Sequence, residues 1–226
     1  MPYDRKFFYD TVRLNLFAGN LTQSQVDGMN YLLEVWEWGF EANNPNDGTM
    51  WLAYALATFY HETAYTMQPI EEYGRGSGKS YGQKTGPHNQ AYYGRGHVQL
   101  TWETNYKNGQ QYLKDRYGVH ANIYPDASKM LDSQTSALVS YDGMIYGWFT
   151  GVGLPKYFSK SRGVEDPVNA RRIVNGTDQA QKIAGYYSKF KNALKQVRAS
   201  TPMLAVEAQL PDLPAEPHMP EPPEAA

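Results

Sequence analysis

The sequence predicts a mainly α-helical fold with only short β elements. Apolar residues recur every three or four positions along most long segments, which is the spacing of one face of a helix. The alternating patterns that indicate strands are weak and short. The chain has 226 residues and no cysteine, so neither disulfides nor thiolate metal sites stabilise the fold. A domain of about 200 residues needs neither, because it can bury roughly 70% of its unfolded surface.

Three helices are predicted in the first part of the chain. The first covers residues 4–17. Thr22 begins the second, because Gln25 three residues later completes a capping box, and the helical spacing of apolar residues continues to Phe40. The third covers residues 50–62 and is so rich in apolar residues that we expect it to be largely buried.

A long polar loop follows these helices. Glycine and polar residues dominate residues 67–89, and no periodicity is present there. Loops of this length inside a domain are usually functional. Helical spacing then returns in four segments: 102–117, 133–149, 168–174 and 178–197.

The C-terminal segment, residues 200–226, differs in composition from the rest of the chain. It holds seven of the fourteen prolines and five acidic residues, without any lysine or arginine. Such a composition is typical of a disordered or extended tail, to which we assign no catalytic role. One folded domain is therefore expected over residues 1–199.

Charge and hydropathy exclude several classes of partner. The formal net charge is −2, and removing the five acids of the tail leaves 21 basic against 18 acidic residues. This excess is far smaller than nucleic-acid binding requires. No segment approaches the roughly 20 apolar residues of a membrane span, and charged residues interrupt the first 19 residues, unlike a signal peptide. We expect neither a nucleic-acid partner nor stable membrane insertion.

Two short motifs resemble known sites without meeting their spacing. Residues 74–80 read GRGSGKS, but a phosphate-binding loop requires a glycine where Tyr73 stands. His61 and Glu62 begin a zinc-protease pattern, but Tyr65 stands where its second histidine belongs. The five histidines are scattered, so we expect neither a metal nor another cofactor.

Glu62 is the first catalytic candidate. It ends a helix that we expect to be buried, where desolvation and the partial negative charge of the helix end both disfavour a carboxylate. Both effects favour a protonated side chain, which is the state that a general acid requires. A structural glutamate paired with an arginine would suit the position equally well.

A second acidic position follows in the polar loop. Glu71 and Glu72 come nine and ten residues after Glu62, where hydration keeps at least one of them ionised. Glycoside hydrolysis requires one acid and one base, and this loop can separate two carboxylates by the roughly 6.5 to 9.5 Å of an inverting enzyme. A solvated acidic pair without a catalytic role is the alternative.

The segment over residues 92–108, YYGRGHVQLTWETNYKN, combines aromatic rings, an arginine, amides and hydroxyls. Aromatic faces stack on pyranose rings, while amides and hydroxyls satisfy sugar hydroxyls that would otherwise be unpaired. The segment therefore predicts one wall of a glycan-binding groove. Its own acid, Glu103, is not expected to take part in catalysis.

Three motifs, in this order, resemble glycoside hydrolase family 19, the family of chitinases and phage endolysins. They are ATFYHET at 57–63, YYGRGHVQLTWETNY at 92–106 and RRIVNGTD at 171–178, and the similarity runs over residues 51–194. The resemblance implies a two-lobed, lysozyme-like fold with a substrate cleft between the lobes. It also implies inverting hydrolysis, without a metal, of β-1,4 bonds beside N-acetylhexosamine sugars.

The resemblance also implies roles for residues of these motifs. Glu62 matches the general acid, and Glu71 matches the second acidic residue of the short phage endolysins, which acts as the base. Thr101 matches the hydroxyl that helps to hold the attacking water. Gln99 and Asn105 match residues that contact the sugar and its N-acetyl group. Further residues expected along the cleft are His61, Tyr93, Arg95 and, on the opposite side, Asn175.

The leading interpretation is an endolysin-type muramidase that cuts the glycan strands of bacterial peptidoglycan. The chain lacks the disulfides and the longer insertion of plant chitinases, which favours this interpretation. We expect a monomer, synthesised in the bacterial cytoplasm, that reaches the wall once a holin-like protein has permeabilised the membrane. A chitinase of the same fold is the first alternative, and a non-catalytic glycan-binding protein is the second.

Overall fold

The computed structural model describes residues 3–194. Within them it has seven α-helices: α1 (Arg5–Asn15), α2 (Gln23–Gly39), α3 (Gly48–Glu62), α4 (Glu103–Tyr117), α5 (Ser133–Tyr146), α6 (Leu154–Tyr157) and α7 (Ala180–Ala193). Short 3₁₀ helices cover Ser80–Gly82, Ala127–Leu131 and Asn169–Ile173. The strands, two residues each, form two antiparallel pairs: β1 (Ile70–Glu71) with β2 (Arg95–Gly96), and β3 (Phe158–Ser159) with β4 (Val164–Glu165). The predicted mainly α fold with short β elements is confirmed.

Local signals in the sequence explain where several helices begin and end. The Asp4 side chain caps α1, and Thr22 forms the expected capping box with Gln25 at the start of α2. The helix predicted over residues 133–149 ends three residues early, because Gly147 adopts the left-handed conformation with φ of +72°.

Two predicted helical segments differ from the structure. Residues 168–174 contain a 3₁₀ helix, Asn169–Ile173, which is one short turn and not an α-helix. The last helix begins at Ala180, after Gln179 in a left-handed conformation, and not at residue 178. Its predicted end and the predicted tail, residues 200–226, lie outside the described residues. Within residues 3–194, no helix is long and apolar enough to cross a membrane.

The helix α3 is the centre of the core. Every residue from Met50 to Tyr60 is buried, and the helix packs against α7 and α5. In turn α7 packs against α1, and α5 packs against α2. A helix that is apolar on all sides must be covered on all sides, so this central position matches its sequence. The packing holds Glu62, at the end of α3, against the core.

The strand pair β1–β2 holds the second acidic position. Glu71 lies opposite Arg95 in the antiparallel register. The strand β2 lies close to α5, because a Cβ atom at Gly96 would be only 2.6 Å from the Oγ atom of Ser136. Only glycine leaves enough space for this contact, which seats the strand pair directly on the helix.

Candidate active site

Glu62 forms an ion pair with Arg171 at the C-terminal end of α3. The Nη1 atom of Arg171 is 2.6 Å from Glu62 Oε1, and its Nε atom donates to the Asp178 carbonyl at 3.0 Å. The Glu62 side chain is 16% exposed, whereas Arg171 is buried. The sequence left a protonated acid and a glutamate paired with an arginine as equal interpretations, and the structure shows the pair with Arg171. The partner was not identified from the sequence because it comes 109 residues later in the chain.

His61 precedes Glu62 and is half-buried. Burial is the main cause that lowers the pKa of His61, and the negative charge of Glu62 opposes this effect. The ring is therefore neutral at neutral pH. Its Nδ1 atom is buried and has no hydrogen-bond partner within residues 3–194.

Glu71 lies on the strand β1, and three donor groups hold its carboxylate. The Tyr93 hydroxyl donates to Oε1 at 2.6 Å, Arg75 Nη2 lies 2.9 Å from Oε2, and Arg95 Nε donates to Oε1 at 3.4 Å. The hydrogen bond from Tyr93 is the largest cause of a lowered pKa of Glu71, and the two guanidinium groups add to it, while partial burial acts in the opposite direction. Glu71 is therefore ionised at neutral pH, the state that a general base requires.

Tyr93 and Arg95 lie behind this carboxylate, and neither forms an open wall. Both side chains are buried, and the Arg95 guanidinium lies 3.5 Å from the centre of the Tyr93 ring. Tyr92 and Tyr106 are buried as well. The expected positions of Tyr93 and Arg95 along the cleft are therefore corrected: both belong to the buried support of Glu71, and Tyr92 and Tyr106 belong to the core.

The orientation of these rings follows from their hydroxyl groups. Tyr106 Oη donates to the Tyr93 carbonyl at 2.9 Å, and Tyr92 Oη donates to the Tyr124 carbonyl at 2.9 Å. Buried tyrosines need such partners, which the tertiary structure supplies and the sequence pattern does not specify. Trp102 is different, because half of its surface is exposed.

Glu72 has surroundings unlike those of Glu71. Its backbone N–H donates to the Gly94 carbonyl at 2.8 Å. A Cβ atom at Gly94 would lie 3.0 Å from Glu72 Oε2 and 3.1 Å from Gln99 Oε1, so both side chains border this glycine. Hydrogen bonds thus hold Glu71 as a fixed anion, whereas the Glu72 side chain lies next to that of Gln99.

A small pocket brings three of the expected substrate-contacting residues together. Gln99, Thr101 and Asn105 line a cavity of about 50 Å³ together with Val98, Leu100, Phe149 and Val174. Gln99 Nε2 donates to the carbonyls of Ile70 and Gly96, at 3.1 and 3.0 Å, and Asn105 Nδ2 donates to the Thr101 carbonyl at 2.9 Å. The pocket is thereby joined to the strand pair that carries Glu71.

The opposite side of the pocket leads to Glu62. Val174 directly follows the 3₁₀ helix that carries Arg171, the partner of Glu62. The Thr150 hydroxyl donates to the Arg172 carbonyl at 2.7 Å and so ties the loop after α5 to this helix. The pocket thus lies between the strand pair that carries Glu71, to whose backbone Gln99 donates, and the segment that carries the partner of Glu62.

Asn175 lies at the surface beside this pocket. Its backbone N–H donates to the Arg171 carbonyl at 3.0 Å, and its side-chain Oδ1 accepts from the Gly176 N–H at 2.8 Å. The side chain is exposed and follows Val174, which places it at the rim. Among the described residues, no group of three or more histidine or acidic side chains could hold a metal ion.

Solved structures with the same architecture place this geometry in context. Chitinase C from Streptomyces griseus HUT6037 matches with a TM-score of 0.51 and 19% identity, over 84% of this chain and 91% of that chain. A further bacterial family 19 chitinase matches with a TM-score of 0.50 and 18% identity, over 84% of this chain and 94% of that chain. The chain has the fold of the family 19 chitinases. The expected lysozyme-like fold is thereby confirmed. No protein-family model and no curated protein matches the sequence.

Within this chitinase-like fold, the site offers two carboxylates with different partners, and neither of them lines the pocket itself. Glu71 is an anion held from behind by Tyr93, so it can accept a proton from a water molecule. Glu62 is held by one arginine and keeps 16% of its side chain open to solvent. Thr101 lines the pocket and supplies a hydroxyl there. This combination suits acid–base hydrolysis of a glycosidic bond.

Sequence reasoning missed several residues around the site. Arg75 and Arg171, which contact the two glutamates, were not assigned to it, nor was Phe149, which lines the pocket. A signal existed for Arg171, because RRIVNGTD was one of the three motifs. Neither Phe149 nor Arg75 carries such a signal, since their positions depend on how distant segments pack.

Proposed function

We propose that the protein hydrolyses β-1,4 bonds between N-acetylhexosamine sugars, with peptidoglycan strands as its substrate. The observation that carries this proposal is the ionised Glu71, held by three donors on a strand pair whose backbone accepts hydrogen bonds from Gln99, a residue of the pocket. On the other side of this pocket, Val174 follows the 3₁₀ helix whose Arg171 pairs with Glu62. Support for the reaction class comes from the fold shared with two structures described as chitinases.

In the proposed reaction, Glu62 donates a proton to the glycosidic oxygen while the bond to the anomeric carbon breaks. Glu71 takes a proton from a water molecule held at Thr101, and the oxygen of this water attacks the anomeric carbon from the opposite face. The products are two shorter strands, one with a new α-configured reducing end. Glu62 must carry a proton at this step in order to donate it.

The choice of peptidoglycan rests on the spacing of the two glutamates. Glu71 follows Glu62 by only nine residues, and the chain has no cysteine. Both features are part of its resemblance to the short phage endolysins. Chitin is the second candidate substrate, because both compared structures are described as chitinases. The two substrates differ in the lactyl-peptide on alternate sugars of peptidoglycan, which requires an open groove.

The test compares the two polymers directly. Purified peptidoglycan and N-acetylglucosamine hexamer are incubated with equal amounts of protein, and new reducing ends are counted. We expect release from peptidoglycan, with N-acetylmuramic acid at the new reducing end by mass spectrometry and an α anomer as the first product by NMR. Turnover of the hexamer alone would establish the chitinase alternative. If neither polymer gains reducing ends, the proposed hydrolysis is wrong.

The proposal also states how the protein reaches the cell wall. The protein acts as a monomer, is made in the bacterial cytoplasm and reaches the wall through a membrane that a holin-like protein has permeabilised. Bacterial cells that express it alone should then stay intact, whereas cells that also express a permeabilising protein should lyse. Lysis in the first culture would contradict this part of the proposal and leave the hydrolysis untouched.

A further inference from the structure

Trp102 combines two features that are unfavourable for an isolated side chain. Half of its surface is exposed to solvent, although tryptophan gains most from burial. Its backbone also has φ of +74°, a conformation that bulky side chains rarely adopt. Such backbone strain occurs at sites where the surrounding structure imposes it, and these sites are frequently functional.

The surroundings of Trp102 hold its ring in place. The backbone N–H of Trp102 donates to the Tyr92 carbonyl at 2.9 Å. The Tyr81 ring contacts the indole edge-to-face, with 5.2 Å between the ring centres and 78° between the planes. Because the contact occupies an edge or one face only, an exposed part of the indole stays available to a ligand.

Glu103 fixes the loop that supplies Tyr81. Its Oε2 atom accepts from Thr85 Oγ1 at 3.0 Å, and its Oε1 atom accepts from Tyr124 Oη at 3.0 Å. The glycine-rich loop is packed closely against this carboxylate, since a Cβ atom at Gly86 would lie 2.2 Å from Glu103 Oε1. The acid without a catalytic role therefore anchors the loop beside Trp102.

The position of Trp102 indicates what the ring could bind. It directly follows Thr101, which lines the pocket together with Gln99 and Asn105. A polymer that continues beyond this pocket on the side of Thr101 would pass the exposed indole. The apolar face of a pyranose ring is the chemical group that stacks on such a surface.

We propose that Trp102, supported by Tyr81, is a separate glycan-binding subsite on which a pyranose ring of the strand stacks outside the pocket. This inference rests on the proposed function, because it takes the glycan strand as the ligand. The subsite contributes affinity for long strands. Tyr81 is a positioning residue, since it contacts the indole and orients it.

Binding of glycans by variants at Trp102 tests this subsite. All proteins carry Glu62→Gln, so that no ligand is consumed. Their affinities for N-acetylglucosamine trimer and hexamer are measured by calorimetry, and their binding to purified peptidoglycan by sedimentation. Trp102→Ala should weaken binding of the hexamer and of peptidoglycan by about three- to tenfold, the scale of one aromatic contact. The trimer should be affected less, and Trp102→Phe should retain most of the affinity.

Two control variants separate the ring from the backbone. Trp102→Gly removes the same ring, so it should bind as weakly as Trp102→Ala. Because glycine suits the positive φ, its unfolding temperature should be no lower than that of Trp102→Ala. Tyr73→Ala removes a different exposed aromatic ring, which lies in the same loop as Tyr81, and it should leave affinity unchanged. The subsite is refuted if Trp102→Ala binds the hexamer and peptidoglycan as tightly as its parent, if Trp102→Gly restores binding, or if Tyr73→Ala causes an equal loss.

The outcomes also distinguish this inference from the proposed function. If the protein with Glu62 intact releases reducing ends and Trp102→Ala binds normally, only the subsite is wrong. If no polymer is cleaved but hexamer binding still depends on Trp102, the subsite holds and the hydrolysis is wrong. A parent protein that binds neither the hexamer nor peptidoglycan overturns both.

Discussion

The two glutamates of the candidate site differ in how the surrounding structure holds them. Glu62 ends a buried helix and has one charged partner, Arg171, which the chain supplies from 109 residues away. Glu71 lies on a two-residue strand and has three donors, all of which come from within 24 residues. One carboxylate is thus held by a single long-range contact, and the other by a local group of hydrogen bonds.

This difference separates the possible roles of two identical side chains. The donors around Glu71 stabilise its charged form, so its pKa is lowered and it remains an anion over a wide pH range. Glu62 depends on one guanidinium and retains an exposed edge, so a bound ligand can change its surroundings. In the proposed hydrolysis, the fixed anion serves as the base, and the glutamate with the single charged partner serves as the acid.

The largest expected effect comes from converting either carboxylate into an amide. Glu62→Gln and Glu71→Gln should each lower kcat on peptidoglycan by about 10²- to 10⁴-fold, since an amide can neither supply nor accept the required proton. Reducing-end release at equal protein concentration measures this loss, and circular dichroism checks that each variant is folded.

Glu72→Gln is the matched control for Glu71→Gln. The two residues are neighbours and both are partly buried, but only Glu71 has the hydrogen bond from Tyr93. The control should therefore keep its activity within about tenfold of the original, because it leaves the proposed base, Glu71, in place. A loss for Glu72→Gln equal to or larger than that for Glu71→Gln would make Glu72 the base.

The arginines on the two sides should contribute very differently to stability. Arg171→Met leaves the charge of Glu62 without its partner and should lower the free energy of unfolding by about 2 to 3 kcal/mol, less than for a fully buried pair. Arg75 is 71% exposed, so Arg75→Met should cost less than about 1 kcal/mol. Urea unfolding at neutral pH measures both values. Equal losses would show that Glu62 is not held mainly by Arg171.

The sequence predicts the elements of this fold better than the contacts between them. The helices α1 and α2 follow from local spacing and caps, and α3 follows from its apolar composition, because each depends on residues within one segment. The end of α5 at Gly147 shows the limit, since apolar spacing continued past a glycine that stops the helix. The segment that holds Arg171 was too short for its helix type to be predicted.

Within the site, residue types were predictable but orientations were not. The motifs located Gln99, Thr101 and Asn105, which the structure brings to one pocket. Tyr93 was expected at the surface and lies buried under Glu71, because a phenol can turn either its ring or its hydroxyl towards a partner. Which choice is made depends on packing with Arg95 and the core, and no local pattern encodes that.

A buried histidine tests how tightly the strand pair on the Glu71 side is packed. His97 follows β2, its Nδ1 atom lies 2.8 Å from Ser136 Oγ, and burial lowers the pKa of His97 to about 3. The ring is neutral in the fold and takes up a proton on unfolding below about pH 6.5. The contribution of His97 to the free energy of unfolding is therefore fully present above that pH and is lost as the pH falls towards 3. Between pH 7 and 5, His97 should account for a loss of about 2 kcal/mol.

Urea unfolding at these two pH values measures the loss. His97→Gln should reduce the difference between pH 7 and pH 5, whatever its effect on stability at pH 7. His88→Gln changes an exposed histidine instead and should leave that difference as it was. If the two variants depend on pH in the same way, water reaches His97, and the strand pair is less tightly packed on α5 than the structure indicates.

The smallest effect should come from Tyr93→Phe, which removes one hydroxyl next to Glu71. The hydrogen bond from Tyr93 is the main cause of the lowered pKa of Glu71, so its loss raises that pKa. Because the base must be ionised, the acidic limb of the profile of kcat/KM against pH should move to higher pH, with little change at neutral pH. Arg75→Met should move it in the same direction by less, since Arg75 contributes less to the lowered pKa. An acidic limb that moves to lower pH, or stays in place in both variants, would mean that it does not report Glu71.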